Sequence, residues 1–489
     1  MEGQSAHLRQ SSAGSAELQP GAIPLVDISR TPSPYPRARS AAQSEDEDDD
    51  YEPLSLVRPL VASDIASGGH ARSWRGILAN GGLGNFFFGT WTGWQVYVGL
   101  LLFWVSGCAF GLLLMNRFIL LTGVYKFPYP LTMTWIQLIL AHILLIWFSS
   151  LTRLLARPLQ RLGLGAAVAP STPLSAGSPG SRGAARTTGL LASILRRLPG
   201  GSAGIAGGGV FEFEWRVARQ ALLLAIVYLA KVVLSNISFA YSAQETYSLA
   251  RIGVVPLSLI LASTSSRSAL SANSVSTMSS ALTAAFSLLV ACIRPGGRVT
   301  SESIVAGVFS SFFVAIYPVL LLRTYRAIVA DMVPQGDVLT GFPSAAGADE
   351  PLSGSREETR AYWRTLHYTS SLTLIMLTPM VLICGELPNI HHNCYFLDVP
   401  FFWFLTVCGG IGAWAVFSST LLLTKATSPL TVNFLSVPRG AFQLICLNKL
   451  KMPVHSWLGI GFCWTASAWF LIARRDEGRT LDRMRLEGR

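Results

Sequence analysis

Charged residues are scarce in this chain of 489 residues, where they make up 13% of the total, while apolar residues make up 51% and are gathered into long runs. That composition excludes an ordinary soluble globular protein. Cysteines are also few, seven in all, and none has metal-site spacing, so no metal or cofactor is expected. The loose candidates for membrane-surface catalysis are Glu386, Asp398 and two histidines, so the chain is not predicted to be an enzyme.

Ten apolar runs are long enough, or nearly so, to cross a bilayer as helices. They predict an all-α integral membrane protein with about ten transmembrane helices. The predicted spans are 96–121, 131–151, 218–241, 247–263, 277–293, 304–322, 369–385, 401–423, 430–447 and 457–473.

Basic residues cluster in the connections after the second and sixth spans and behind the tenth span. With ten spans these regions share one face, and the positive-inside rule then predicts that both termini are cytosolic. The arginines are dispersed without an aromatic-bearing surface, so nucleic-acid binding is not expected. The predicted domains are a disordered cytosolic tail at 1–82, a membrane domain at 83–474 and a basic cytosolic tail at 475–489. Within the membrane domain, 163–209 and 331–362 are predicted to be flexible cytosolic loops.

Two arginines lie inside apolar stretches of a chain that otherwise keeps charge out of them. Arg251 is in AYSAQETYSLARIGVVPLSLILA, and Arg439 is in SPLTVNFLSVPRGAFQLICL. A guanidinium near the middle of a bilayer costs at least about 2.5–3.5 kcal/mol on insertion scales, so it normally faces a polar cavity and an anionic partner. The pair therefore predicts a membrane carrier for an anion; the alternative is that each arginine extends to a helix end.

Three segments resemble motifs of the triose-phosphate/nucleotide-sugar transporter family, within the drug/metabolite transporter superfamily. They are NRFILLTGVYKFPYPLTMTWIQLI from Asn116, NISFAYSAQETYSLARIGVVP from Asn236 and SPLTVNFLSVPRGAF from Ser428. The resemblance covers about residues 96–474. It implies two inverted five-helix repeats with the substrate near the midplane between them. It also places Arg251 and Arg439 where the family has lysine, and a guanidinium fork suits bidentate phosphate binding.

The resemblance implies an antiporter that moves a phosphorylated sugar across a Golgi or endoplasmic reticulum membrane. We favour a nucleotide sugar, exchanged for a nucleoside monophosphate or phosphate. The alternatives are a sugar-phosphate/phosphate exchanger and a non-transporting membrane scaffold with a degenerate site. GDP-mannose is disfavoured because Tyr368 alone remains of that carrier type's tyrosine-diasparagine motif. The expected partners are the anionic substrate, its counter-anion and the lipid bilayer, and no oligomeric state is predicted.

Seven further residues are candidates around the arginine pair. Tyr241 and Tyr368 are predicted to hold a sugar or base in the substrate cavity. The other cavity candidates are Thr431, Asn433 and Ser436, for which helix–helix hydrogen bonding is an equally good account. Asn116 and Lys425 are predicted to act in gating, although Asn116 would also suit closure of a helix end and Lys425 simple snorkelling. Pro438, directly before Arg439, is expected to break the ninth helix.

Overall fold

A computed structural model describes most of the predicted membrane domain. The described residues are 82–89, 91–120, 124–162, 164, 167–170, 205, 213–241, 244–265, 274–293, 301–332, 353–393, 398–447 and 452–486. The predicted tail 1–82, apart from Gly82, lies outside them, as does most of the predicted loop 163–209.

Ten helices within the described residues are long and apolar enough to cross a membrane, which confirms the predicted fold class of an all-α integral membrane protein. We number them as spans in chain order. They are Thr92–Ile119, Pro130–Leu154, Trp215–Ala240, Thr246–Thr264, Val275–Cys292, Ile304–Met332, Glu358–Ile383, Pro400–Ala426, Pro429–Leu447 and Val454–Thr480. Short helices at Gly82–Gly89, Ala156–Arg161 and Glu386–Asn393 lie between or beside the spans.

Several spans are longer than the apolar runs that predict them. The helix of the seventh span begins at Ser353, although its apolar run begins only at 369. The additional turns contain charged side chains, so a hydropathy count does not assign them to the span. One of these residues, Arg364, is nevertheless buried and donates to Glu214 at 3.1 Å. The predicted loop 331–362 is therefore helical at both ends. Likewise the helix of the tenth span runs on to Leu486, into the predicted tail 475–489.

The spans pack in pairs that match across the two halves of the chain. The most extensive contacts join the fifth span to the tenth, the third to the sixth and the eighth to the first. In two five-span repeats, each span of the first half corresponds to the span five places later. Under this correspondence the third–sixth pair is equivalent to the eighth–first pair, and the fifth–tenth pair is equivalent to itself. The packing therefore has the pairing that the predicted inverted repeats require, while the repeats stay a prediction.

Small residues let the fifth and tenth spans approach closely. A Cβ added to Gly459 of the tenth span would lie 2.8 Å from the carbonyl oxygen of Ser287 and 2.9 Å from the backbone nitrogen of Ala291. Only glycine fits here without moving a helix backbone.

Ion pairs between the described residues gather at one end of the bundle. All four lie at the end where the third span begins and the sixth span ends, the predicted cytosolic face. The pairs are Arg216–Asp331, Arg364–Glu214, Lys425–Glu358 and Arg474–Glu477.

The fourth pair connects the end of the tenth span to two other spans. Glu477 Oε1 accepts two hydrogen bonds of 2.6 Å from the start of the fifth span. One comes from the backbone N–H of Ser274 and the other from the side-chain hydroxyl of Thr277. Arg474 donates to Glu477 at 2.6 Å and to Ser428, the residue before the ninth span, at 2.8 Å. Glu477 and Arg474 together thus join three helix ends.

Glu477→Gln is expected to lower the free energy of unfolding by about 1–3 kcal/mol, because an amide loses the charge and presents a donor to donors. Thermal unfolding in detergent would measure this. The neighbouring Asp476 is exposed, so Asp476→Asn is the matched control. Equal losses for the two variants would contradict the role of Glu477.

Candidate functional site: a central cationic cavity

The fourth span is broken at the position of Arg251. Its two helices are Gln244–Ala250 and Val254–Ser265, and Arg251 lies in the turn between them. Pro256 contributes to the break, because it has no N–H to donate to the carbonyl of Ile252. The carbonyl of Ala250 instead accepts a hydrogen bond of 3.1 Å from Ser311 Oγ of the sixth span. The freed backbone of the break is thus partly satisfied inside the membrane.

The ninth span has a milder interruption, a single residue at Leu435 that keeps helical dihedral angles (φ −57°, ψ −22°), close to Arg439. Its helices are Pro429–Phe434 and Ser436–Leu447, which confirms the break predicted from Pro438. Pro438 cannot donate to the carbonyl four residues earlier, that of Phe434. Here too the sixth span provides support, since Asn433 Nδ2 donates to its Ala315 carbonyl at 2.9 Å. Both breaks are therefore held against one helix.

A cavity of about 220 Å³ lies beside these two breaks, within a wider space of about 1360 Å³ that includes open solvent. Residues of the first, second, third, fourth, sixth, eighth and ninth spans line it. Five of the sequence-predicted site residues line it: Asn116, Arg251, Asn433, Ser436 and Arg439.

The two arginines face this cavity without a carboxylate. Arg251 Nη1 donates to the hydroxyl of Tyr247, and its guanidinium carbon lies 5.1 Å from the centroid of the same ring. The Nε of Arg439 is buried and has no hydrogen-bond partner among the described residues. No aspartate or glutamate is among the described residues that line the cavity. Both residues also border a smaller adjoining space of about 40 Å³.

Neutral polar side chains line another part of the cavity and bond to one another. Gln137 Nε2 donates to Asn116 Oδ1 at 2.6 Å, and Asn116 Nδ2 to Asn236 Oδ1 at 3.5 Å. Asn236 Nδ2 in turn donates to Thr134 Oγ1 at 2.7 Å. This series of hydrogen bonds links the first, second and third spans and places Asn116 in the cavity wall. The gating role of Asn116 stays a prediction.

Sequence reasoning missed one cation of this cavity. Lys231 lies in the apolar third span and lines the cavity with the arginines, so the expectation that other apolar stretches are free of charge is wrong. The signal that singled out the arginines, a charge inside an apolar run, is present in VYLAKVVLS as well. Lys231 Nζ lies 3.9 Å from the ring centroid of Tyr317 and 5.5 Å from that of Tyr228.

The other four predicted site residues do not line the cavity. Tyr241 is 45% exposed at the end of the third span. Tyr368 is buried, and its hydroxyl accepts a hydrogen bond of 2.8 Å from the backbone N–H of Glu214. Thr431 lies in the first turn of the ninth span, where its N–H donates to Ser428 Oγ at 3.2 Å.

Lys425, a predicted gating residue, lies at the end of the eighth span. It pairs with Glu358 at 3.0 Å and donates to the hydroxyl of Tyr325 at 2.6 Å. These contacts join the sixth, seventh and eighth spans at the end that carries the ion pairs. Gating by Lys425 stays a prediction.

Fold and site together define a ten-span membrane protein with a central cationic cavity. No protein-family model matches the sequence. The chain is similar to the GDP-fucose transporter 1 of Dictyostelium discoideum, with 23% identity over 48% of this chain and 54% of that one. It is also similar to the GDP-fucose transporter 1 of Monosiga brevicollis, with 21% identity over 55% of this chain and 72% of that one.

A third relative is the GDP-fucose transporter of Caenorhabditis elegans, with 22% identity over 48% of this chain and 58% of that one. The chain thus spans about half the length of the Dictyostelium relative that it matches. A solved crystal structure aligns with 78% of this chain and 98% of its own at 14% identity. Its TM-score of 0.42 is too low to add to the argument.

Proposed function

We propose that the protein is a nucleotide-sugar transporter of the Golgi or endoplasmic reticulum membrane, with both termini in the cytosol. The observation that carries this proposal is the meeting of Arg251 and Arg439 in one cavity, each at a break in a membrane-spanning helix. No acidic residue is among the described lining residues, which supports the transported molecule as the source of the counter-charge.

A phosphate group between two guanidinium groups accepts charge-assisted hydrogen bonds, which are among the strongest in proteins. Broken helices at the midplane are also a common way to build anion sites in transporters, because half-helix ends and freed backbone groups point at the substrate. The arginine forks and the two breaks are therefore parts of one phosphate site.

The names of the relatives point to the first compounds to test. Three of them are named GDP-fucose transporters, so GDP-linked sugars come first in a substrate panel. A sugar phosphate would meet the same two arginines equally well, so triose and hexose phosphates belong in the panel too. GDP-mannose stays disfavoured by its missing motif.

The basic lining of the cavity supports exchange rather than one-way transport. An anion neutralises the arginines and lets the occupied protein change its access from one face to the other. Returning empty leaves those charges without a partner in a medium of low dielectric, which is costly. The returning anion is a nucleoside monophosphate or inorganic phosphate.

Uptake into proteoliposomes tests the proposal. We expect one labelled nucleotide sugar to enter vesicles preloaded with the matching nucleoside monophosphate, about ten-fold faster than it enters unloaded vesicles. Protein-free liposomes are the control. If no nucleotide sugar or sugar phosphate exchanges, the alternative of a non-transporting scaffold stands instead.

A further inference from the structure

Lys231 is a third cation of the cavity, on a different span from the two arginines. It lines the cavity from the third span, whereas Arg251 belongs to the fourth and Arg439 to the ninth. The lining of one cavity therefore presents three basic side chains from three helices, and hence up to three positive charges, with no acidic residue among its described members. Two of these charges already account for the phosphate site described above.

Aromatic rings, not carboxylates, surround the ammonium of Lys231. The ring of Tyr317 is nearest, at 3.9 Å, and Tyr317 in turn lies 5.3 Å from the ring of Tyr228, centroid to centroid. Among the described residues, Lys231 takes part in no ion pair. Ring faces attract a cation without cancelling its charge, so an anion in the cavity can still pair with the protonated amine.

Tyr317 adds an unused donor beside this ammonium. Its side chain is 2% exposed, it lines the same cavity, and its hydroxyl has no hydrogen-bond partner among the described residues. A buried hydroxyl without a hydrogen-bond partner destabilises the folded state, and a hydrogen bond to a ligand oxygen would remove that cost. The ammonium lies over the ring of the same tyrosine, so the two groups form a donor pair that suits neighbouring oxygens of one phosphate.

We propose that Lys231 and the hydroxyl of Tyr317 form a second anion subsite, which binds the second phosphate of a diphosphate-linked substrate while Arg251 and Arg439 bind the first. This inference rests on the proposed function, because it assigns the substrate to the same cavity. It makes Lys231 the residue that distinguishes a nucleotide sugar, with two phosphates, from a sugar phosphate, with one.

Inorganic phosphate and pyrophosphate test the subsite without a base or sugar. Each would be titrated against the purified full-length protein in detergent, with thermal stabilisation as the measure of binding. The wild-type protein is expected to bind pyrophosphate about ten-fold more tightly than phosphate, because one charge-assisted hydrogen bond contributes about that factor. Lys231→Met is expected to remove this preference by weakening pyrophosphate binding. Lys231→Arg, which keeps the charge, is expected to restore it.

Tyr317→Phe provides a second, milder variant that removes only the unpartnered hydroxyl. It is expected to weaken pyrophosphate binding by about three-fold and to leave the phosphate affinity nearly unchanged. If Lys231→Met does not fold, the pyrophosphate affinities of Tyr317→Phe and Lys231→Arg still test the subsite. The subsite predicts a weaker affinity for Tyr317→Phe and an unchanged preference for Lys231→Arg. The matched control is Tyr362→Phe, which removes a hydroxyl that donates to the Ser418 carbonyl at 3.1 Å and does not line the cavity.

Three results would overturn the subsite. They are an equal loss of phosphate and pyrophosphate binding in Lys231→Met, an unchanged pyrophosphate affinity in both variants, and a wild-type protein that neither anion stabilises. The uptake assay separates this inference from the proposed function. If the protein exchanges substrate but its variants keep the preference for pyrophosphate over phosphate, only the subsite is contradicted. If that preference depends on Lys231 but no exchange occurs, only the proposed transport is contradicted.

Discussion

Arg439→Gln is expected to lower the exchange rate by about 100-fold in proteoliposomes, because it removes a charge and a bidentate donor from the proposed phosphate site at once. Arg439→Lys keeps the charge but not the planar fork, so an intermediate rate is expected. The melting temperature without ligand is expected to stay the same or rise. In the wild-type protein this guanidinium is in no ion pair with a described residue, and a buried charge without a partner destabilises the fold.

The matched control for this prediction is Arg216→Gln. Arg216 is 75% exposed at the end of the bundle and does not line the cavity. It is expected to leave the exchange rate nearly unchanged. If Arg439→Gln exchanged at the wild-type rate, or lost transport only together with its folding, the phosphate role of Arg439 would be contradicted.

Gly459→Val is expected to destabilise the protein by about 3 kcal/mol or more, the upper range for overpacking a tight contact. The atoms nearest to the added Cβ belong to the backbone of Ser287 and Ala291 and cannot rotate away. Valine also adds two methyl groups beyond that Cβ, so the tenth span has to shift away from the fifth. Thermal unfolding and the monodisperse yield in detergent would measure the effect.

Gly461→Val is the control for Gly459→Val. Gly461 lies two residues further along the same helix, and no described atom lies within 4 Å of a Cβ built there. The two substitutions change helix propensity and hydrophobicity equally, so any difference between them reports the contact with the fifth span. Similar melting temperatures for both variants would contradict the close packing seen here.

The ten spans could be predicted because each contains an apolar run, and runs are visible without tertiary structure. The ends of some spans could not be predicted, because a charged residue there pairs with a partner that is far away in the sequence. Arg364 is such a case, because its acceptor Glu214 lies at the start of the third span. A hydropathy count treats it as a residue outside the membrane, although it is buried.

The candidate site shows the same division. Arg251 and Arg439 could be found from their apolar surroundings, and the break near Pro438 follows from proline chemistry. Tyr368 was expected in the cavity through a family motif, but the described residues of the seventh span contribute nothing to the lining. Its hydroxyl bonds instead to a backbone N–H 154 residues away, a contact that only the packed helices create.

The cationic lining also has an electrical consequence. One elementary charge that crosses a membrane potential of 100 mV changes its free energy by about 2.3 kcal/mol. Phosphorylated substrates and nucleoside monophosphates each carry close to two negative charges at neutral pH, so an exchange of one for the other moves almost no net charge. An empty return would carry Lys231, Arg251 and Arg439 without compensation. If the protein works by the proposed exchange, coupled turnover is expected to be electrically silent, and any current recorded across such a membrane would report uncoupled turnover.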